Sequence, residues 1–174
     1  LMTLVEPLGL VLTTHVERET TEELGLALQG QVNVVRSRGF APFVVYLDPQ
    51  PALKALQHQI TGVEIDVSGA GDHLDKIDGK IRRLKELYRS VHAGLPWRLP
   101  KSAVKDLVYY CTSRMNLRCS SSNASTISPR VAFTGRKPNY KKEWGLAFGD
   151  YVECYDPKFK SNDAEDDRAE PCIA

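Results

Sequence analysis

The chain has 174 residues, 42% of them apolar and 26% charged, with a formal net charge of +1. That length suits one domain with a sizeable core and a tail. No apolar run is long enough to span a bilayer, and there is no signal-peptide pattern. Cys111, Cys119, Cys154 and Cys172 form no CxxC pair. They read as thiols of a reducing compartment, not as zinc ligands.

Leu1 to Val5 and Leu8 to Val16 are apolar and rich in β-formers, with Glu6-Pro7 between them. They predict two strands, or one strand with an interruption. Thr20-Thr21-Glu22-Glu23 is a capping box. Leu24, Ala27, Leu28, Val32 and Val35 then recur at helical spacing, and Gly39 stops the helix. Phe43 to Leu47 predicts a strand ending at Asp48. Pro49 and Pro51 suit the first turn of a short helix. Val63, Ile65 and Val67 alternate with polar residues and predict another strand, followed by a flexible loop over 68–72.

A long helix is expected over 74–92, with Leu74, Ile77, Ile81, Leu84, Tyr88 and Val91 on one face. Gly94-Leu95-Pro96 breaks it. A second helix runs from Pro100 to about Arg118, with Val104, Leu107, Val108, Cys111 and Met115 facing inward. Beyond a Ser/Asn/Thr-rich loop, residues 129–147 have weak periodicity. Phe148 to Tyr155 reads as a strand, and the charged stretch 161–171 as disordered. Strands alternating with helices imply an α/β sheet with a parallel part and helical cover. Ligands of such sheets gather at the carboxyl ends of strands, where Asp48, Asp66 and the 68–72 loop fall.

The small net charge hides an uneven distribution. Lys76 to Lys105 holds nine Lys/Arg against two acids, and Arg130 to Lys142 holds five basic residues and no acid. From Asp150 onward eight acids face three basic residues. A basic middle with an acidic tail points to a polyanion-binding face.

Asp48, after a strand, and Asp78, on a basic helix, are candidate carboxylates for one or two Mg²⁺ ions. Each has a plainer role available. Asp48 precedes Pro49 and suits a helix N-cap; Asp78 suits an i,i+4 ion pair with Arg82. Asp72 and Asp75 are rival ligands. Asp78, Arg82, Lys85 and Arg89 follow 4-3-4 spacing and share one side of the helix; with Lys80 they make a candidate DNA-binding face. Gly69-Ala70-Gly71 lacks the third glycine of a dinucleotide fingerprint. The four histidines show no paired ligand spacing. Trp97 and Trp144 read as buried anchors more readily than as base-stacking platforms.

These residues carry a resemblance. Phe43-Val44-Val45-Tyr46-Leu47-Asp48, followed by Asp78-Gly79-Lys80-Ile81-Arg82-Arg83-Leu84-Lys85-Glu86, resembles the integrase catalytic core of retroviral and copia-like retrotransposon polyproteins. Leu95-Pro96-Trp97, Asn116, Ser128-Pro129 and Thr134-Gly135-Arg136-Lys137-Pro138 fit the same family. The resemblance covers roughly residues 1–140. It implies an RNase H-like mixed sheet flanked by helices and Mg²⁺- or Mn²⁺-dependent 3′-end processing and strand transfer of retroelement DNA.

On that resemblance Asp48 and Asp78 match the second and third carboxylates of a D,D-E set. The first is expected on a strand just before Leu1; Glu6 is the nearest acid and a poor match. The sequence departs from the family at three points. Asp78 stands where Glu is usual, the gap from Asp48 to Asp78 is shorter, and Pro49 replaces an Asn. The expected division is a partial catalytic core over 1–118, a post-core linker over 119–147 and a partly disordered C-terminal extension over 148–174. Expected partners are DNA, as element ends and target, and further copies of the intact protein; no membrane is implied. The resemblance places the protein in the nucleus or a cytoplasmic retroelement particle. Two other readings share these residues: a catalytically decayed nucleic-acid-binding or assembly module, and another RNase H-like nuclease.

Overall fold

Local chemistry sets the first elements. In the computed structural model, which describes residues 1–42, 44–47, 51–58, 60–67, 74–119, 126–155 and 169–174, the first apolar run folds back on itself. Strand β1 (Met2–Val5) pairs antiparallel with β2 (Leu10–Thr13), so Leu4 faces Val11 and Val5 faces Leu10. The turn between them holds a cis Glu6–Pro7 bond and Gly9 at φ 66°. The predicted pair of strands is therefore a hairpin.

Helix α1 (Thr21–Ser37) starts where the capping box places it, with the Thr20 side chain accepting from the Glu23 amide. The returning half of the box differs. Glu23 Oε2 accepts from the amides of Glu17 and Arg18 instead, at 3.1 and 2.9 Å. The carboxylate thus orders the chain that enters the helix, and its charge lies at the favourable end of the helix dipole.

Strand β3 (Val44–Tyr46) lies parallel to β4 (Glu64–Asp66). Between them come α2 (Pro51–Lys54) and a 3₁₀ turn, Ala55–His58. Leu24, Leu28 and Val32 of α1 pack with Leu47, Leu53, Leu56, Ile60 and Ile65 into one buried cluster. Arg36, near the end of α1, donates to the carbonyls of Thr61 and Gly62 at 3.2 and 2.6 Å, fastening the helix to the turn before β4. Gly62 has φ 78°, and a Cβ there would strike that guanidinium.

Helix α3 (Leu74–Gly94) packs on α4 (Val104–Leu117) and touches β1. A 3₁₀ turn, Lys101–Ala103, leads into α4. Of the residues expected to face inward, Leu107 and Cys111 are fully buried, whereas Val104 is 37% exposed. The buried face is rotated toward polar residues, adding Thr112 and Asn116.

The reason lies on β2. Asn116 Oδ1 accepts from the Val11 amide at 2.9 Å, and Asn116 Nδ2 donates to the Val11 carbonyl at 2.7 Å. Both groups point away from β1, so the amide side chain completes the hydrogen bonding of an edge strand, which would otherwise template unwanted pairing. Thr13 donates to Thr112 at 3.2 Å. On the other side Gln31 of α1 accepts from the Thr3 hydroxyl and donates to that of Thr14.

Burial among these groups pushes the Cys111 thiol up to about 11 from 9.0. Since the folded state holds the proton more tightly, the stability it contributes is complete below pH 9.0 and is lost as pH rises toward about 11. At pH 8 a maleimide is expected to label exposed Cys119 and leave Cys111 unmodified until the protein unfolds. Peptide mapping after brief labelling checks this; rapid labelling of native Cys111 would contradict the packing.

The weakly periodic stretch forms two short helices. Ser128 caps α5 (Pro129–Thr134), with Pro129 in the first turn and Gly135 in the left-handed conformation at its end. Asn139 caps α6 (Tyr140–Glu143). Strand β5 (Tyr151–Tyr155) pairs antiparallel with β6 (Ala169–Ile173). The expected disorder over 161–171 is corrected at its end, because residues 169–171 belong to a paired strand. The rest of that stretch lies outside the described residues. Those described residues form three separate two-stranded ladders, holding both antiparallel and parallel pairs.

Candidate nucleic-acid interface and carboxylate site

Helix α3 is amphipathic in a lopsided way. Ile77, Ile81, Leu84, Tyr88 and Val91 are half-buried, and no described residue of the helix is fully buried. Its other side is open: Asp78, Arg82, Lys85 and Arg89 are all exposed. At 1.5 Å per residue this stripe runs about 16 Å. Lys80 stands apart, half-buried at the margin of the packed face. Tyr88 and His92 stack at 5.9 Å, so His92 is turned along its own helix.

The plainer role for Asp78 is not taken. Asp78 and Arg82 form no ion pair, and Asp78 has no hydrogen-bonding or ionic partner among the described residues. Lys76 instead pairs with Glu6 in the β1–β2 turn, with Nζ 3.1 Å from the carboxylate. That contact places the turn against the first turns of α3 and commits Glu6 to a cation. The Asp78 carboxylate is left open to an incoming ligand.

Asp48, the other carboxylate, lies outside the described residues, as do Pro49, Asp72 and the stretch 68–72 for which a loop was expected. Leu47 is 7% exposed, and its amide extends the β3–β4 ladder by donating to the Asp66 carbonyl at 3.0 Å. The exposed side chains of Tyr46 and Asp66 share that carboxyl end of the parallel pair. Among the described residues, no group of three or more His, Cys, Asp or Glu could hold a metal ion. The open donor on α3 is a carboxylate, the hard oxygen ligand that Mg²⁺ and Mn²⁺ favour, so its chemistry fits such an ion.

The exposure of one tryptophan runs against the sequence reading. Trp144 is 44% exposed and Tyr140 55% exposed, with ring centroids 5.7 Å apart. Trp97, expected as a buried anchor, is half-buried, and its indole N–H donates to the Gly149 carbonyl at 3.4 Å. What separates the two tryptophans in sequence is the neighbourhood, since Lys141 and Lys142 precede Trp144 whereas Leu95 and Pro96 precede Trp97. No described helix is long and apolar enough to cross a membrane.

No protein-family model matches this sequence, and no curated protein does. Solved structures do match. The catalytic core domain of BIV integrase superposes with a TM-score of 0.55 at 12% identity, covering 77% of this chain and 84% of that chain. A chain of the simian T-cell lymphotropic virus intasome, solved with PP2A regulatory subunit B56 gamma, gives 0.58 at 16% identity. That match covers 99% of this chain and 61% of the other, so the present chain spans less than two thirds of it. Identities this low speak for architecture alone: the chain has the mixed α/β fold of the retroviral integrase catalytic core.

Proposed function

We propose that this chain is the catalytic core of a retroelement integrase, of the retroviral or copia-like kind, acting in 3′-end processing and strand transfer of DNA. The observation that carries the reading is α3. On an integrase-core fold, it presents a carboxylate free of described partners in line with three exposed cations.

Arg82, Lys85 and Arg89 contact successive phosphates and lay the DNA backbone along α3, with Asp78 toward the helix N-terminus. Lys80 approaches from the margin of the same helix. Asp48 and Asp78 would hold Mg²⁺ or Mn²⁺, and the ion would supply Lewis acidity at the phosphoryl oxygens and lower the pKa of the attacking water or DNA 3′-hydroxyl. The remaining carboxylate of a D,D-E set is not assigned to any residue described here. Self-assembly of the intact protein on DNA ends, in a nucleus or cytoplasmic retroelement particle, belongs to the same proposal.

The triple variant Arg82→Glu, Lys85→Glu, Arg89→Glu tests it. Each phosphate contact contributes about 0.9 to the slope of log affinity against log salt on duplex DNA. The variant is expected to make that slope shallower by about 2 to 3 and to weaken binding uniformly across sequences. A slope unchanged from the parent protein would remove α3 from the DNA interface.

A further inference from the structure

A second basic surface is carried by residues 136–144, outside α3. Residues 136–144 hold one acid, Glu143, and it is spent internally: it pairs with Arg130 and accepts from the Asn139 amide at 3.1 Å. Arg136, Lys137, Lys141 and Lys142 are exposed, and their side chains have no acidic partner among the described residues. Four uncompensated cations on nine residues make a local field that the whole-chain charge conceals.

The same segment exposes two rings. Tyr140 and Trp144 meet nearly edge to face, at 77°, so their faces point in different directions. Arg114 of α4 backs Trp144, with its guanidinium carbon 5.1 Å from the indole and 4.7 Å from the Tyr110 ring. It also donates to the Leu146 carbonyl at 2.9 Å, which holds the cation in place under the indole. The platform is therefore braced from below and open above.

Cations alone would suit any polyanion. Aromatic faces among them select a polyanion that also carries flat, unstacked rings. We infer that Tyr140 and Trp144, with Arg136, Lys137, Lys141 and Lys142, bind single-stranded nucleic acid. Bases stack on the two rings while the backbone follows the cations. In duplex DNA the base faces are covered by their neighbours, so the platform favours unpaired strands. The site does not depend on Asp48, Asp78 or the α3 stripe, and its failure would leave that reading standing.

Fluorescence anisotropy with a labelled twenty-residue oligothymidylate, and with a duplex of the same length, tests the inference. Trp144→Ala combined with Tyr140→Ala is expected to weaken oligothymidylate binding at least tenfold and duplex binding no more than twofold. Trp144→Phe should recover most of the loss, because a phenyl ring still stacks. Should the double alanine variant prove unfolded by circular dichroism, Trp144→Leu with Tyr140→Leu replaces it, which keeps apolar bulk and removes the stacking faces, with the same tenfold selective loss expected. Oligothymidylate should also quench the fluorescence of Trp144, with Trp97→Phe retaining that quenching. Equal losses on both ligands, unchanged oligothymidylate affinity, or displacement by polyglutamate at equal charge concentration would each overturn it. The last outcome would mark an unselective polyanion patch.

Discussion

Asn116→Ala is expected to cost about 2 to 6 kcal/mol of folding stability, through two buried backbone groups left without partners at about 1 to 3 kcal/mol each. The side chain supplies both a donor and an acceptor to Val11 at a buried site. Alanine supplies neither, and water has no ready route in. Urea denaturation should show a lower midpoint at an unchanged slope, the signature of a stability change in an otherwise similar fold. Asn116→Asp is the sharper variant. At neutral pH its carboxylate keeps the acceptor but faces the Val11 carbonyl, so the loss should match or exceed that of alanine. On acidification the protonated acid regains a donor, and the gap from the parent should narrow. An Asn116→Ala midpoint equal to that of the parent would mean that the Val11 groups are solvated and the edge is not sealed.

The second large effect concerns chemistry. In the full-length polypeptide, Asp48→Asn is expected to lower strand transfer by about 10³-fold or more, with DNA binding at fixed salt unchanged. The reasoning is that a metal ion contributes several kcal/mol of transition-state stabilisation, and about 1.4 kcal/mol corresponds to tenfold in rate. Amide for carboxylate keeps shape and removes the charge that holds the ion. Asp78→Asn should act alike, whereas Asp78→Glu should retain activity, since Glu is the residue the resemblance leads one to expect there. Strand transfer unaffected by Asp48→Asn would remove that residue from the mechanism. Mn²⁺ titration adds a readout independent of activity. Absence of specific Mn²⁺ binding in the full-length parent would favour a decayed binding module over an enzyme.

Much of the fold could be read from spacing. The period of Leu24, Leu28, Val32 and Val35 located α1, and those side chains are buried. Helix α5 lies in the stretch read only as weakly periodic; the structure bounds it by the Ser128 cap, Pro129 and left-handed Gly135, signals that periodicity does not carry. Helix α4 shows where such reading stops. Hydrophobicity favoured Val104, but a tertiary contact turned the helix toward Asn116, whose partner is a backbone peptide far away in sequence. No local pattern announces that a polar side chain will serve an edge strand. Strand β6 was missed for a related reason: Ala169–Ile173 carries Glu170 and Pro171, and only its partner β5 makes it a strand.

The candidate site was legible in part. The 4-3-4 spacing placed Asp78, Arg82, Lys85 and Arg89 on one open side, which α3 bears out as geometry. The plainer alternative for Asp78, an ion pair with Arg82, did not form. Exposed pairs of this kind contribute only about 0.3 to 0.5 kcal/mol, too little to dictate side-chain geometry. Trp144 shows the converse error, since ring size argued for burial while its basic neighbours kept it at the surface.

The link between Asn116 and Val11 joins residues 105 positions apart. During synthesis the hairpin is complete long before its fastener exists. At about 5 to 20 residues per second, some 5 to 20 s separate the emergence of Val11 from that of Asn116. Throughout that interval the outer edge of β2 is open to other chains, at a stage when α4 has not been made. Translation speed from β2 through α4 therefore sets how long the nascent chain is exposed to edge-to-edge association.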